Sequence, residues 1–139
     1  MGGPLNQFTF INDPMNGFKM QHDVRRLDNG NISLFDNGVT HEPPISRAVE
    51  YIINENNKTA ELIWAYTHPD NILGLAMGSV QRLANGNTLI NWGTINDRGA
   101  LITEGNYEKD IVLDIQYPAP HKNYKVRKND WEFFINQME

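Results

Sequence analysis

One six-residue unit constrains this chain more than any other feature. It reads Arg26-Leu27-Asp28-Asn29-Gly30-Asn31 and recurs as Arg82-Leu83-Ala84-Asn85-Gly86-Asn87, an offset of 86 − 30 = 56 residues. Asn-Gly between apolar runs is the strongest short-range hairpin signal. A two-residue type I′ turn needs φ > 0 at both central positions, and Asn and Gly tolerate that conformation with little strain. Each copy is followed by a short apolar strand, Ile32-Ser33-Leu34-Phe35 in the first and Thr88-Leu89-Ile90-Asn91-Trp92 in the second. Each therefore predicts an inner strand joined by a tight turn to the next strand out.

A second hairpin follows each copy. The strand-like runs 47–53 and 59–66 flank the polar turn 54–58, and the runs 101–104 and 111–117 flank the polar segment 105–110. Asn71 to Met77 is apolar, but it is short and interrupted by Gly74, so it reads as a loop. Four strands per unit and a repeat of this length describe blades of a β-propeller. The expected fold is all-β: a partial β-propeller of about two four-stranded antiparallel blades of a larger ring. The blade-like units cover about 18–70 and 76–120, within one domain spanning 1–139, and 121–139 serve as a last strand or tail. Fewer than about three repeats leave end faces uncovered. The chain is thus expected to be a fragment or to associate, with apolar blade faces open to solvent.

Composition narrows the function classes. The formal net charge of −5 argues against nucleic acid as a partner, and no run approaches the roughly 18 apolar residues of a spanning helix. No membrane insertion is expected. The absence of cysteine rules out disulfides, thiolate metal sites and cysteine nucleophiles. The first residues do not form a signal peptide, lacking a basic start followed by an apolar stretch. His22, Asp23 and Asp36 match no metal-ligand spacing, so no metal is expected.

The run from Gln21-His22-Asp23 through Leu27-Asp28-Asn29-Gly30-Asn31 to Phe35-Asp36-Asn37-Gly38, followed by Ser46-Arg47-Ala48-Val49-Glu50-Tyr51, closely resembles the arylsulfotransferase family. The likeness continues through Trp64-Ala65-Tyr66, through Met77 to Gly93 and into Tyr124-Lys125-Val126-Arg127, roughly Gly17 to Phe134 in all. Asn-Gly-Asn turns are common to many propellers, but the Gln-His-Asp, Phe-Asp-Asn-Gly and Ser-Arg-Ala-Val-Glu-Tyr sequence is specific. The resemblance implies a six-bladed propeller exported from bacterial cells, of which this chain is the C-terminal third. The full-length protein would then be secreted or periplasmic. The implied activity moves a sulfuryl group from a phenolic sulfate ester to another phenol without a nucleotide or other cofactor. The implied partners are a small aryl sulfate or phenol and the remaining propeller blades.

The chemistry explains the residue types. Sulfuryl transfer resembles phosphoryl transfer, in which catalysis is positioning plus cationic stabilisation of charge on three equatorial oxygens. In the family a His becomes transiently sulfated, which divides one displacement into two. By resemblance His22 is the channel-lining histidine at the start of an inner strand and the catalytic candidate. The alternative is a structural His, hydrogen-bonded beside Asp23. Arg47 is a candidate sulfate ligand, against a strand Arg paired with Glu50 or Glu61. The family's sulfate-binding Arg belongs in the loop after Phe-Asp-Asn-Gly, where this chain has no Arg and His41 is the available substitute. The family nucleophile should follow the strand ending at Trp92. The run 93–99 has no His, only Arg98 as a candidate substrate cation. A guanidinium stays protonated and is no nucleophile.

His68 and His121 read as solvated loop residues, and Trp64, Trp92 and Trp131 as filling between blades. The run 130–134 reads as a ring-closing strand or the start of a tail. Three functions follow from these features: an arylsulfotransferase-like enzyme fragment, a non-catalytic extracellular propeller that binds a ligand or protein, and a structural repeat protein.

Overall fold

A computed structural model describes residues 1–95 and 99–129. The described residues form strands and turns, with no helix among them. A first sheet comprises β1 (Thr9–Ile11), β2 (His22–Arg26), β3 (Ile32–Asp36), β4 (Arg47–Asn54) and β5 (Thr59–Tyr66), in the order β1-β5-β4-β3-β2. Strands β2 to β5 are an antiparallel meander, and β1 adds in parallel to the outer edge, Thr9 opposite Thr59. A short strand β6 (Gly74–Ala76) precedes the second sheet, which holds β7 (Ser79–Arg82), β8 (Thr88–Asn91), β10 (Ala100–Gly105) and β11 (Ile111–Tyr117) in meander order. Strand β9 (Thr94–Ile95) leaves that sheet to pair with β6, so part of the expected 71–77 loop is a strand. Two four-stranded blades of a partial propeller result, the first extended by β1.

The hairpin turns differ from the expected type I′. In each, the Gly amide donates to the Leu carbonyl (Gly30 to Leu27, 2.9 Å; Gly86 to Leu83, 3.0 Å), and the Leu amide donates to the carbonyl of the second Asn. Only the glycines have positive φ, 85° and 86°. These are three-residue loops with a single left-handed position. The first Asn of each unit is held otherwise: its Oδ1 accepts the amide of the second Asn, two residues on.

The second Asn has a longer reach. Asn31 Nδ2 donates to Oε1 of Glu50 on β4 (2.7 Å), and Asn87 Nδ2 to Oε1 of Glu104 on β10 (2.8 Å). Each Glu takes a cation from the next unit on Oε2: Arg82 for Glu50 and Lys128 for Glu104, both at 2.7 Å. A β-bulge follows each Glu, at Glu50/Tyr51 and Glu104/Gly105. The inner edges repeat as well. Val80 N donates to Asp23 Oδ2 (3.1 Å), and Val126 N donates to Ser79 Oγ (3.0 Å). Residues 124–129 therefore stand beside β7 as β7 stands beside β2.

Packing follows from the alternation of strand side chains. Phe35, Trp64 and Tyr66 of the first sheet meet Val80, Ile90 and Leu101 of the second, with Trp92 fully buried between them. Phe35 meets Trp92 edge to face at 5.7 Å, and the Arg82 guanidinium lies 3.8 Å from the Trp64 ring centre. Trp64 and Trp92 thus fill the space between blades; Trp131 and the run 130–134 lie outside the described residues. The opposite face of the first sheet (Leu34, Val49, Tyr51, Ala60) is covered by Phe8, Phe10 and Phe18, so it is not the open apolar face expected from the sequence. The second sheet meets that expectation along β11, which is exposed throughout.

Candidate functional site

His22 begins β2, the free inner edge of the first sheet, opposite Phe35. A bulge between His22 and Arg25 interrupts the pairing, and Asp23 has φ 52°, a left-handed conformation costly for a non-glycine residue. The bulge turns His22 and Asp23 away from the ordinary strand alternation. Asp23 is held there from several sides: it accepts the Val80 amide, both Arg127 Nη2 contacts (2.6 Å each), Arg25 and Lys125 (3.3 Å). Burial pushes its carboxyl up, but the Arg127 and Val80 hydrogen bonds and the Arg127 charge outweigh this, leaving it below the usual carboxylate range. Three cations around one carboxylate leave a surplus of positive charge at Asp23, the residue that follows His22. Arg25 and Lys125 are the more exposed members.

The His22 ring is half-buried, and its Nδ1 lies 2.7 Å from Asn37 Oδ1. Asn37 is fully buried, and its Nδ2 donates to the carbonyls of Gly74 (2.8 Å) and Met77 (3.0 Å). The place of His22 in the second unit, 56 residues on, is Gly78. A Cβ there would lie 2.4 Å from the Phe35 ring, and φ is 107°, so no side chain fits. The second blade cannot carry a matching histidine.

The remaining candidates fall elsewhere. Arg47 is buried at 3% exposure and pairs with Asp13 (2.8 Å) and Asp36 (2.9 Å), rather than with Glu50 or Glu61. It also donates to the Gly17 carbonyl. Glu50 is taken by Arg82, and Glu61 accepts from Asn12. His41 is buried too, its Nε2 3.0 Å from Asp36 Oδ2. Tyr51 donates its hydroxyl to Asp13. Burial pushes the Asp13 carboxyl up, and the Arg47 and Tyr51 bonds with the Arg47 charge bring it below the usual range. Tyr51 is itself raised, by burial and by its bond to Asp13. Arg47 and His41 thus come together on Asp36 in a closed polar cluster. No hydrogen bond or ion pair among the described residues joins them to His22. Arg98 lies outside the described residues.

His68, expected in solvent, is buried instead. Its ring packs edge-on against Trp92, Nδ1 accepts the Asp70 amide, and Nε2 meets Asp114 at 3.2 Å. His121 is exposed. Among the described residues no three His, Asp or Glu side chains gather to hold a metal, and no helix is long and apolar enough to cross a membrane. Sequence reasoning missed Asn37 and Lys125. Asn37 stood in the Phe-Asp-Asn-Gly motif without a role of its own, while Lys125 reaches Asp23 across 102 residues of sequence (125 − 23).

The family model for arylsulfotransferase (ASST) matches residues 8–127 of the chain. No curated protein matches it significantly.

Proposed function

The chain belongs to the arylsulfotransferase family, and from that premise we propose that it supplies part of a sulfuryl-transfer site centred on His22. The reaction is transfer of a sulfuryl group from a phenolic sulfate ester to a second phenol, inside a propeller channel completed by blades beyond this chain. One observation carries the reading: an imidazole at a bulged inner edge, beside a carboxylate surrounded by more cations than it neutralises. A surplus of fixed positive charge where sulfate oxygens gather charge is the electrostatic requirement of this chemistry. Arg25 and Lys125 would provide that field. Arg47 and His41, enclosed with Asp13 and Asp36, hold the blade together and do not reach substrate. We further propose, from the family resemblance, that the full-length protein works in the periplasm or outside the cell.

A second reading has its own observation. The run after Gly93 contains no histidine to become sulfated, which favours a propeller that binds an anionic ligand or protein without turning it over. Full-length protein given p-nitrophenyl sulfate decides between them. The enzyme reading predicts p-nitrophenol release that rises with added phenol and needs no nucleotide. Binding of the sulfate ester with no phenol-dependent release would sink it in favour of the second. The isolated chain is expected to be inactive, because two blades cannot enclose a channel.

A further inference from the structure

We propose that Asn37 is a positioning residue that sets the tautomer of His22: it holds a proton on Nδ1, so that in the neutral ring the lone pair lies on Nε2 at the inner edge of the blade. The assignment comes from hydrogen-bond polarity. The Asn37 side chain lies against two carbonyls, Gly74 O at 2.8 Å and Met77 O at 3.0 Å. Only its NH₂ can face two acceptors; the reversed amide would set oxygen against oxygen inside a fully buried site. Its Oδ1 therefore points at His22 and can only accept. The contact at 2.7 Å then requires a hydrogen on Nδ1. Nε2 has no hydrogen-bond partner among the described residues.

The consequence for chemistry rests on the proposed sulfuryl transfer. A neutral ring with its lone pair on Nε2 cannot donate to a sulfate oxygen, so His22 enters the reaction as a proton acceptor. As the acceptor phenol oxygen attacks sulfur, its O–H proton passes to Nε2. The S–O bond to the donor breaks, and its electron pair leaves on the donor phenoxide. The imidazolium then returns the proton to that phenoxide. One ester and one phenol are consumed and one of each is formed, with no sulfated histidine and no further reactant. Such a direct displacement suits a chain whose run 93–99 holds no histidine.

Long-range proton–nitrogen correlation on the chain labelled with ¹⁵N-histidine tests the tautomer. At about pH 9 an ordinary imidazole, with a pKa of about 6.5, is neutral, and His22→Gln identifies the signal. Wild type should show the proton on Nδ1. Asn37→Ala, which removes the acceptor, should move the proton to Nε2. A proton on Nε2 in wild type, or one averaged between the two nitrogens, overturns the proposal. So does an unchanged tautomer in folded Asn37→Ala, the result expected if Asn37 only braces the loop. If Asn37→Ala fails to fold, the wild-type spectrum decides alone. Absence of sulfuryl transfer with the Nδ1 proton in place would refute the reaction and leave the Asn37 assignment standing.

Discussion

Replacing Arg47 with Met removes a cation from between two carboxylates that have no exposure of their own. The guanidinium donates to Asp36 at 2.9 Å, to Asp13 at 2.8 and 3.1 Å and to the Gly17 carbonyl at 2.7 Å. Methionine fills most of the volume but answers none of these acceptors. Removing one partner of a buried ion pair costs about 3–5 kcal/mol, because the other charge stays desolvated. Here one cation serves two carboxylates, and the expected loss is at least the middle of that range, about 4 kcal/mol. That is a large part of the roughly 5–15 kcal/mol that holds a domain together. With a urea slope of about 2 kcal/mol per M, the midpoint should fall by about 2 M. Arg47→Lys keeps the charge but loses the fork, and should fall in between. The pH dependence carries a sign. Asp13 lies below its ordinary value when folded, so its contribution is full above about pH 4, the unfolded value, and fades as pH drops through the folded one. Wild type should lose stability on acidification more steeply than Arg47→Met. A midpoint shift under about 0.5 M in Arg47→Met, or an unchanged acid slope, would refute the closed-cluster reading and return Arg47 to the sulfate ligands.

Four further outcomes follow from the same geometry. A double-mutant cycle on Glu50 and Arg82, both largely buried, should give a coupling of about 1–3 kcal/mol by urea denaturation. The equivalent cycle on Glu104 and Lys128, whose lysine is about half exposed, should give under about 1 kcal/mol. Gly78→Ala forces a methyl group to 2.4 Å from the Phe35 ring at φ 107° and should cost about 2–4 kcal/mol in a thermal melt. Glu50 also lies below the ordinary range, because Asn31 and Arg82 outweigh the effect of burial. Its contribution is likewise lost on acidification below about pH 4, and Glu50→Gln should remove that part of the acid sensitivity.

The sequence made the strands legible because each blade is local. Apolar strand-like runs and the Asn-Gly or polar turns between them placed β3, β4, β5, β8, β10 and β11 to within a residue or two. The turn type was not legible, since Asn-Gly suits two loop geometries and the choice depends on the Asn29 and Asn85 side chains bonding two residues ahead. Strand β1 was missed because its partner lies 50 residues on, Thr59 opposite Thr9. The polar cluster was hidden for the same reason: Asp13 reaches Arg47 across 34 residues, and nothing around Asp13 announces a buried carboxylate. His68 read as a loop histidine, and its burial depends on Trp92 and Asp114 in another blade. The motif reading did place His22 at a free edge strand. What it could not supply was orientation, which comes from the bulge at Asp23 and from the buried amide of Asn37.

The role proposed for His22 in sulfuryl transfer is tested by the phenol-dependent rate of full-length protein with p-nitrophenyl sulfate. His22→Ala should lower kcat by about 10²–10⁴-fold, the range for loss of a general base, while thermal stability falls only slightly. An unchanged rate in folded His22→Ala would contradict the claim.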